Sequence, residues 1–495
     1  MNTSPSMPYQ EIRDTILQKI PEEMGITRIE FEGPRLAIYL KKPEILTDDQ
    51  SIVAEVARLI KKRIVIRSDP SVRLAEAVAE RQLRELIPEE AGITQIVFDP
   101  TLGEVTVEVA KPGLAIGKGG VNIQEIFRRT KWYPIIIRSP PIPSMTIMQI
   151  RSYVYSKSKE REKFLRETGE KIFRSSFIAP GDVRITALGG CREVGRSAFL
   201  VRTRESSVLL DCGVNPGTNN PINSFPRIDI EEFDPDLLDA VIISHAHLDH
   251  CGFLPFLYKY GYRGPVYCSL PTSSLMILIQ SDYVDVMNKE GRMSPYSADD
   301  IRSLITNTIS LRYGEVTDIS PDIRLTFHNA GHILGSSIVH LHIGKGLHNI
   351  VYTGDFKYGL TSLLESAVSQ FPRVETLIME STYGGADDIM PTRDETEKRF
   401  VEICSHTLKE GKILIPVPAV GRAQEIMMII NNHMRSGELA EVPVYIEGMI
   451  NEATGIHTAY PAFLSNEIRD QILHEESNPF ESEYFTTVKQ PDLRE

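Results

Sequence analysis

Four metal-ligand side chains fall within six residues in Ser244-His245-Ala246-His247-Leu248-Asp249-His250-Cys251-Gly252. An apolar run, Ala240 to Ile243, precedes them and reads as a buried strand. On the loop that follows, His245 and His247 can both reach one cation. Asp249 and His250 then point at a second position beside it. Neutral imidazole and carboxylate are the ligands of a hydrolytic zinc centre, with bonds of about 2.0–2.2 Å. Such chemistry needs a rigid frame, so the rest of the chain must supply strands that end at this loop.

The H-x-H-x-D-H run resembles the signature of the metallo-β-lactamase superfamily, and further pieces of that pattern follow. Asp211 ends the apolar run in Val208-Leu209-Leu210-Asp211-Cys212-Gly213. His332 lies in Asn329-Ala330-Gly331-His332-Ile333, and Asp355 in Tyr352-Thr353-Gly354-Asp355-Phe356. The resemblance implies that His245, His247 and His332 hold one Zn2+, that Asp249 and His250 hold a second, and that Asp355 bridges them. It makes Asp211 a carboxylate that fixes a ligand imidazole; the lesser alternative is a strand-end Asp capping a turn. His328, His340, His342 and His348 read as non-ligands, with His340 and His342 on one strand face and His348 in a Gly-rich turn.

At 495 residues the chain has room for about three domains, and 41% hydrophobic with 24% charged residues fits a globular protein. Its five cysteines form no C-x-x-C pair, which fits a reducing cytoplasm; Cys212 and Cys251 read as packing residues. No apolar run approaches the ~18 residues of a membrane span, and Met1 to Asp14 lacks the apolar region of a signal peptide. The expectation is therefore no membrane partner. A net charge of −13 argues against a generally basic nucleic-acid coat and leaves any such binding to local patches.

An internal repeat occupies the N-terminal part. Pro21-Glu22-Glu23-Met24-Gly25-Ile26-Thr27-Arg28-Ile29 recurs as Pro88-Glu89-Glu90-Ala91-Gly92-Ile93-Thr94-Gln95-Ile96, and Ile66-Arg67-Ser68 recurs as Ile137-Arg138-Ser139. Each copy reads helix, strand, strand, helix, strand. The second alone carries Gly117-Lys118-Gly119-Gly120 ahead of a helical pattern, which resembles the G-x-x-G loop of a KH domain that clamps single-stranded RNA. Arg128, Arg129 and Lys131 extend its positive patch. The first copy has Pro43-Glu44-Ile45-Leu46-Thr47-Asp48-Asp49 there and reads as a degenerate packing module. From Arg151 to Arg174, eight Lys or Arg against four Glu give a helical connector of net +4. That charge either guides RNA or solvates a helix face.

Leu377-Ile378-Met379-Glu380-Ser381-Thr382-Tyr383-Gly384 resembles a motif of the β-CASP nucleases, with Glu380 in its acidic position. Ile413 to Pro418 reads as a strand leading into a helix opened by Gly421, a phosphate site with Arg422 beside it. The expected class is α+β: two KH-like modules, then a metallo-β-lactamase αββα sandwich with an inserted α/β β-CASP domain. The boundaries read as 1–70 for the degenerate KH-like module and 71–145 for the KH domain. The connector follows at 146–178, the sandwich at 179–385 and the β-CASP domain at 386–495. In this family the chain returns from the insertion to complete the sandwich, so the resemblance implies that this C-terminal part is absent here. His406, His433, His457 and His474 match no histidine of that return.

Together these pieces resemble the archaeal homologues of the cleavage and polyadenylation specificity factor nuclease. The resemblance implies a zinc-dependent RNA endonuclease, with 5′-to-3′ exonuclease activity in some members, acting in RNA 3′-end formation and transcription termination. Asp249, Asp211 and Glu380 are the carboxylates it assigns to catalysis, Glu380 by orienting a proton-transfer histidine. It implies single-stranded RNA as substrate, RNA polymerase or other transcription machinery as partners, and a homodimer when the protein is complete. A small-molecule metallohydrolase would leave the repeat idle, and a non-catalytic RNA adaptor would need no ligand set.

Overall fold

The computed structural model describes residues 9–44, 50–175, 181–218, 220–473 and 478–488. Two three-stranded sheets come first: β1 (Ile26–Glu32), β2 (Arg35–Leu40) and β3 (Arg63–Ser68), then β4 (Ile93–Asp99), β5 (Glu104–Val109) and β6 (Tyr133–Arg138). In each, the first pair is antiparallel and the second parallel. The duplication read from sequence extends to backbone detail. Gly25 and Gly92 sit at φ/ψ of 63/67° and 64/69°, and both first strands carry a register shift just beyond them. Residues 45–49 of the segment that replaces the glycine loop in the first module lie outside the described residues.

The two modules are tied at Arg67, which is fully buried. Its guanidinium reaches Glu32 Oε1 at 2.8 Å within its own module and Glu104 Oε1 at 2.5 Å in the next. Burial alone would raise the Glu32 pKa, but Arg67 and then Arg35 hold it below the usual carboxylate range. Lys131 of the second module also pairs with Glu44 of the first at 2.8 Å.

The connector is helical, Met145–Ser156 followed by Ser158–Ile172, but it is no solvated arm. Phe164, Leu165 and Ile172 are buried, and Phe173 stacks on Phe31 of β1 with ring centroids 5.1 Å apart. Arg161 donates to the carbonyls of Thr306 and Thr308, Arg151 pairs with Glu108, and Arg174 pairs with Asp239. Three of the eight basic side chains counted there thus serve docking. Lys62 and Arg63 of the first module pair with Asp318 and Glu315, so that module is wedged against the following domain.

That domain is a sandwich. Its first sheet runs in the order β12-β11-β10-β9-β8-β7, from β7 (Arg184–Gly189), β8 (Ala198–Arg202), β9 (Ser207–Leu210), β10 (Ala240–Ile242), β11 (Val266–Ser269) and β12 (Thr308–Leu311). Strands β9 to β12 are parallel. The second holds β13 (Thr317–Asp318), β14 (Ile323–Asn329), β15 (Ser337–Ile343), β16 (His348–Tyr352) and β17 (Thr376–Ile378), in sequence order. Val208, Leu210, Ile242 and Tyr267 of one sheet meet Leu325, Phe327, Val339, Leu341 and Ile350 of the other in a buried hydrophobic core. Residues of alternate parity on the first sheet, Leu209, Val241 and Ile243, face the flanking helix Leu270–Lys289. Over the outer face of the second sheet lie residues 366–375, where Ala367 and Phe371 join Ile338 and Val351.

His340 and His342 share that outer face, with ring centroids 4.0 Å apart. His348 is the first residue of β16 rather than part of a turn, because the turn is made by Gly344 to Leu347 ahead of it. In the C-terminal part, helices Arg393–Thr407 and Arg422–Arg435 pack through Cys404, Ile430 and Met434. The expected strand at Ile413 to Pro418 does not form: Pro416 and Pro418 have no N–H to give a ladder, and the segment runs without a partner strand.

Arg67→Ala leaves two carboxylates facing one another without their cation and should cost ~3–5 kcal/mol in urea unfolding. The Glu32 pKa is depressed in the fold, so its contribution is present above the ordinary Glu range near ~4.3 and fades as pH falls through the lower folded value. A Glu32→Gln chain should therefore lose less stability than wild type over that acid interval.

Candidate metal centre

The carboxyl ends of β9 and β10, the β14–β15 loop and the residues after β16 converge at one rim of the sandwich. His245, His247, His332 and Asp355 each bring a ligand atom to within 4.8 Å of one another. Asp249, His250 and Asp355 form a second such group, so Asp355 belongs to both. His247 Nδ1 lies 3.1 Å from His332 Nε2, and His250 Nε2 lies 3.2 Å from Asp355 Oδ1. His245 is completely buried, yet its Nε2 has no hydrogen-bond partner. A buried, unpaired imidazole nitrogen aimed into a carboxylate-lined cluster fits a divalent cation.

The charges agree with that fit. Burial, then the neighbouring imidazoles, pushes His245 well below its ordinary pKa and His332 down to about 3. Both are therefore neutral, as ligation demands. Asp355 is held at about 2: burial opposes this, but His250 and then His332 outweigh it. His250 is the exception: Asp211 and then Asp355 raise it despite its burial, so cation binding there must displace a proton.

Asp211 is completely buried and sits at φ 57°, a backbone conformation rare for a residue with a side chain. Its Oδ1 accepts from the Ser244 amide at 2.7 Å, and its Oδ2 from Ser244 Oγ at 2.7 Å. His250 Nδ1 lies 2.7 Å from the same Oδ2, which keeps a proton on Nδ1 and turns Nε2 toward Asp355. Tyr352 donates its hydroxyl to Oδ2 at 2.6 Å, and Ser197 Oγ lies 3.0 Å behind that hydroxyl. Ser244 and Tyr352 escaped sequence reading. They adjoin ligand motifs, but nothing in the sequence shows that their hydroxyls meet one carboxylate.

The turn carrying Asp249 and His250 is clamped from below. Cys212 N donates to His250 O and Ser197 N to Asp249 O, both at 2.8 Å. At Gly213 a Cβ would stand 1.7 Å from the Asp249 carbonyl oxygen, so only glycine admits that approach. Cys212 and Cys251 are buried, free thiols.

Other expected site residues lie outside the two groups. Glu380 follows β17; its amide donates to Thr353 Oγ1, and its carboxylate accepts from the Thr382 amide at 2.9 Å. Arg422 opens its helix exposed to solvent, near enough to His247 and His332 for its charge to disfavour their protonation. His328 lies on the outer face of the second sheet beside His340. His474 lies outside the described residues.

In the second N-terminal module, Gly117, Lys118, Gly119 and Gly120 form a turn ahead of helix Val121–Thr130. Gly119 and Gly120 adopt φ of 66° and 79°, and a Cβ at either would meet nothing within 4 Å, so open space faces a strained backbone. Lys118 is exposed. Arg128 and Arg129 both pair with Glu125, which reduces the charge they add to that patch.

Profile comparison matches residues 7–73 to the KH domain of transcription termination factor FttA. It matches 200–381 to the metallo-beta-lactamase superfamily domain and 423–495 to the Beta-Casp domain. Fold and cluster thus define a metallo-β-lactamase superfamily protein with KH and β-CASP domains, a combination of the hydrolase-type nucleases that implies a divalent cation. Transcription termination factor FttA of Methanothermobacter thermautotrophicus is 52% identical over 486 residues, 98% of this chain and 76% of that protein. The protein of the same name from Thermococcus kodakarensis is 53% identical over 486 residues, 97% of this chain and 75% of that one. That of Lokiarchaeum sp. is 50% identical, covering 98% of this chain and 76% of its own length. The chain belongs to the FttA family of transcription termination factors. Among solved structures, a protein of unknown function from Enterococcus faecalis V583 matches at TM-score 0.32 and 17% identity, over 60% of this chain and 64% of that one, too slight a likeness to bear on the fold.

Gly213→Ala should drive the Asp249–His250 turn away from Ser197 and cost at least ~1–3 kcal/mol, the scale of overpacking, in thermal unfolding. Gly119→Ala, with open space around it, should cost less.

Proposed function

We propose that this protein is a zinc-dependent RNA endonuclease acting on single-stranded RNA in 3′-end formation and transcription termination, beside the transcription machinery of the cytoplasm. The observation that carries the reading is the pair of ligand groups sharing Asp355. His245, His247 and His332 would hold one Zn2+, Asp249 and His250 the other, and Asp355 both. When bound, two such ions lower the pKa of a water and offset charge on the scissile phosphate. Asp211 keeps the His250 ring turned with Nε2 inward. Arg422, beside the imidazole group, offers positive charge to a phosphate entering the rim.

RNA would be held away from the rim by Gly117-Lys118-Gly119-Gly120, whose glycines let a sugar–phosphate backbone approach the following helix N-terminus. The first module, buried against the connector and the sandwich, serves as its support. The names of the relatives support the termination role, and the domain combination supports a nuclease.

Asp249→Ala and His250→Ala should each reduce bound zinc, read by metal analysis, and abolish cleavage of single-stranded RNA. Unchanged zinc content and cleavage in both would refute the assignment. Gly119→Asp puts a repelling carboxylate where phosphate must approach, and should weaken RNA binding by ~1–3 kcal/mol with a shallower salt dependence. Wild-type affinity in that variant would exclude the loop as the RNA clamp.

A further inference from the structure

Most of the second-group ligands hang from the first sheet, whereas Asp355 hangs from the second. Asp211 follows β9, and Asp249 and His250 follow β10; Asp355 comes three residues after the end of β16. A two-cation centre works only if these two sheets keep a fixed offset at the rim. The side chains in the core between them are mainly apolar and add no directional bond to that offset. Polar links cross at the rim itself: the Ser337 amide of the second sheet donates to the Ser244 carbonyl of the first at 2.8 Å, and a side-chain link reaches Asp211. Tyr352, the last residue of β16, is 4% exposed and donates its hydroxyl to Asp211 Oδ2 at 2.6 Å. Its single proton is committed there, so Ser197 Oγ, 3.0 Å away, donates to the phenol oxygen. Ser197 in turn donates its amide to the Asp249 carbonyl. One phenol therefore touches, through one partner each, the ring of His250 and the backbone of Asp249.

We infer that Tyr352 is a positioning residue: its hydroxyl fixes the Asp211 carboxylate, and thereby the Asp249–His250 half of the centre, against Asp355. The inference rests on reading the cluster as a two-cation centre. The ring has its own packing duty, since it lies 5.5 Å from the ring of Phe199 in the intersheet core. Phenylalanine would retain that contact and lose only the hydroxyl, so packing and positioning can be separated.

The test uses the 495-residue chain loaded with zinc and titrated with a chromophoric chelator. Wild type should release two ions in separate steps. Tyr352→Phe should weaken the ion at Asp249, His250 and Asp355 by roughly 10–100-fold, the range for partners of ligand side chains. The ion at His245, His247 and His332 should keep its affinity. A packing role predicts another order, with Tyr352→Phe like wild type and only Tyr352→Leu impaired. Ser197→Ala, which removes the hydroxyl's far partner, should shift the same ion in the same direction by a smaller factor. It decides the matter if Tyr352→Phe does not fold. Equal affinity for both ions in wild type and the hydroxyl variants overturns the positioning role and leaves the centre intact. Failure of wild type to retain two ions overturns the two-cation reading itself.

Discussion

A single buried carboxylate, Asp211, organises the candidate centre. It has no solvent to stabilise its charge, so four hydrogen bonds must do so: two from Ser244, one with His250 and one from Tyr352. An ionised carboxylate without such partners would be costly at that depth. The three partners are therefore held as firmly as the acid is, and all of them belong to or adjoin ligand motifs. Ser244 Oγ also lies 3.0 Å from His245 Nδ1, so one acid orders an imidazole in each ligand group. The left-handed backbone at Asp211 is tolerated because this network over-determines it.

The same logic of fixed offset governs the N-terminal part. Two copies of one module share strand order, bulge and turn angles, yet they meet different surroundings. The first is enclosed by the connector helix and by ion pairs to Glu315 and Asp318. The second keeps its glycine turn open to solvent, and Arg67 locks one to the other through Glu32 and Glu104. A flexible tether would let that glycine turn wander relative to the rim. Buried ion pairs and a two-sided helix give it a constant position instead.

Position along the chain and position in space diverge most in the C-terminal part. Arg422 and Asp355 are far apart in sequence, yet the helix opened by Gly421 packs by Ile333, the neighbour of His332. Glu425 of that helix accepts from the Ser362 and Leu363 amides at 2.8 and 3.0 Å, which pins it to the loop beyond Asp355. The Arg422 charge thus arrives beside the imidazoles through backbone contacts that no local pattern announces.

The sequence by itself determined the duplicated modules, the sandwich and the identity of the residues that gather at its rim. Dense ligand types at the ends of apolar strands, such as His245 to His250 after β10, leave few folds able to use them, and repeated turn residues such as Gly25 and Gly92 dictate repeated geometry. What local pattern could not give was the fate of charge and of prolines. The connector's arginines read as a solvated or RNA-guiding stripe, but Arg151, Arg161 and Arg174 are consumed by partners remote in sequence. Ile413 to Pro418 carries strand-like apolar residues, yet it gains no partner because strand formation depends on a neighbour's hydrogen bonds. Only the tertiary structure decided that Tyr352 and Ser244 share an acid with His250. Hydroxyl partners are chosen by the packing of two sheets, and the spacing of residues along one strand does not encode that packing.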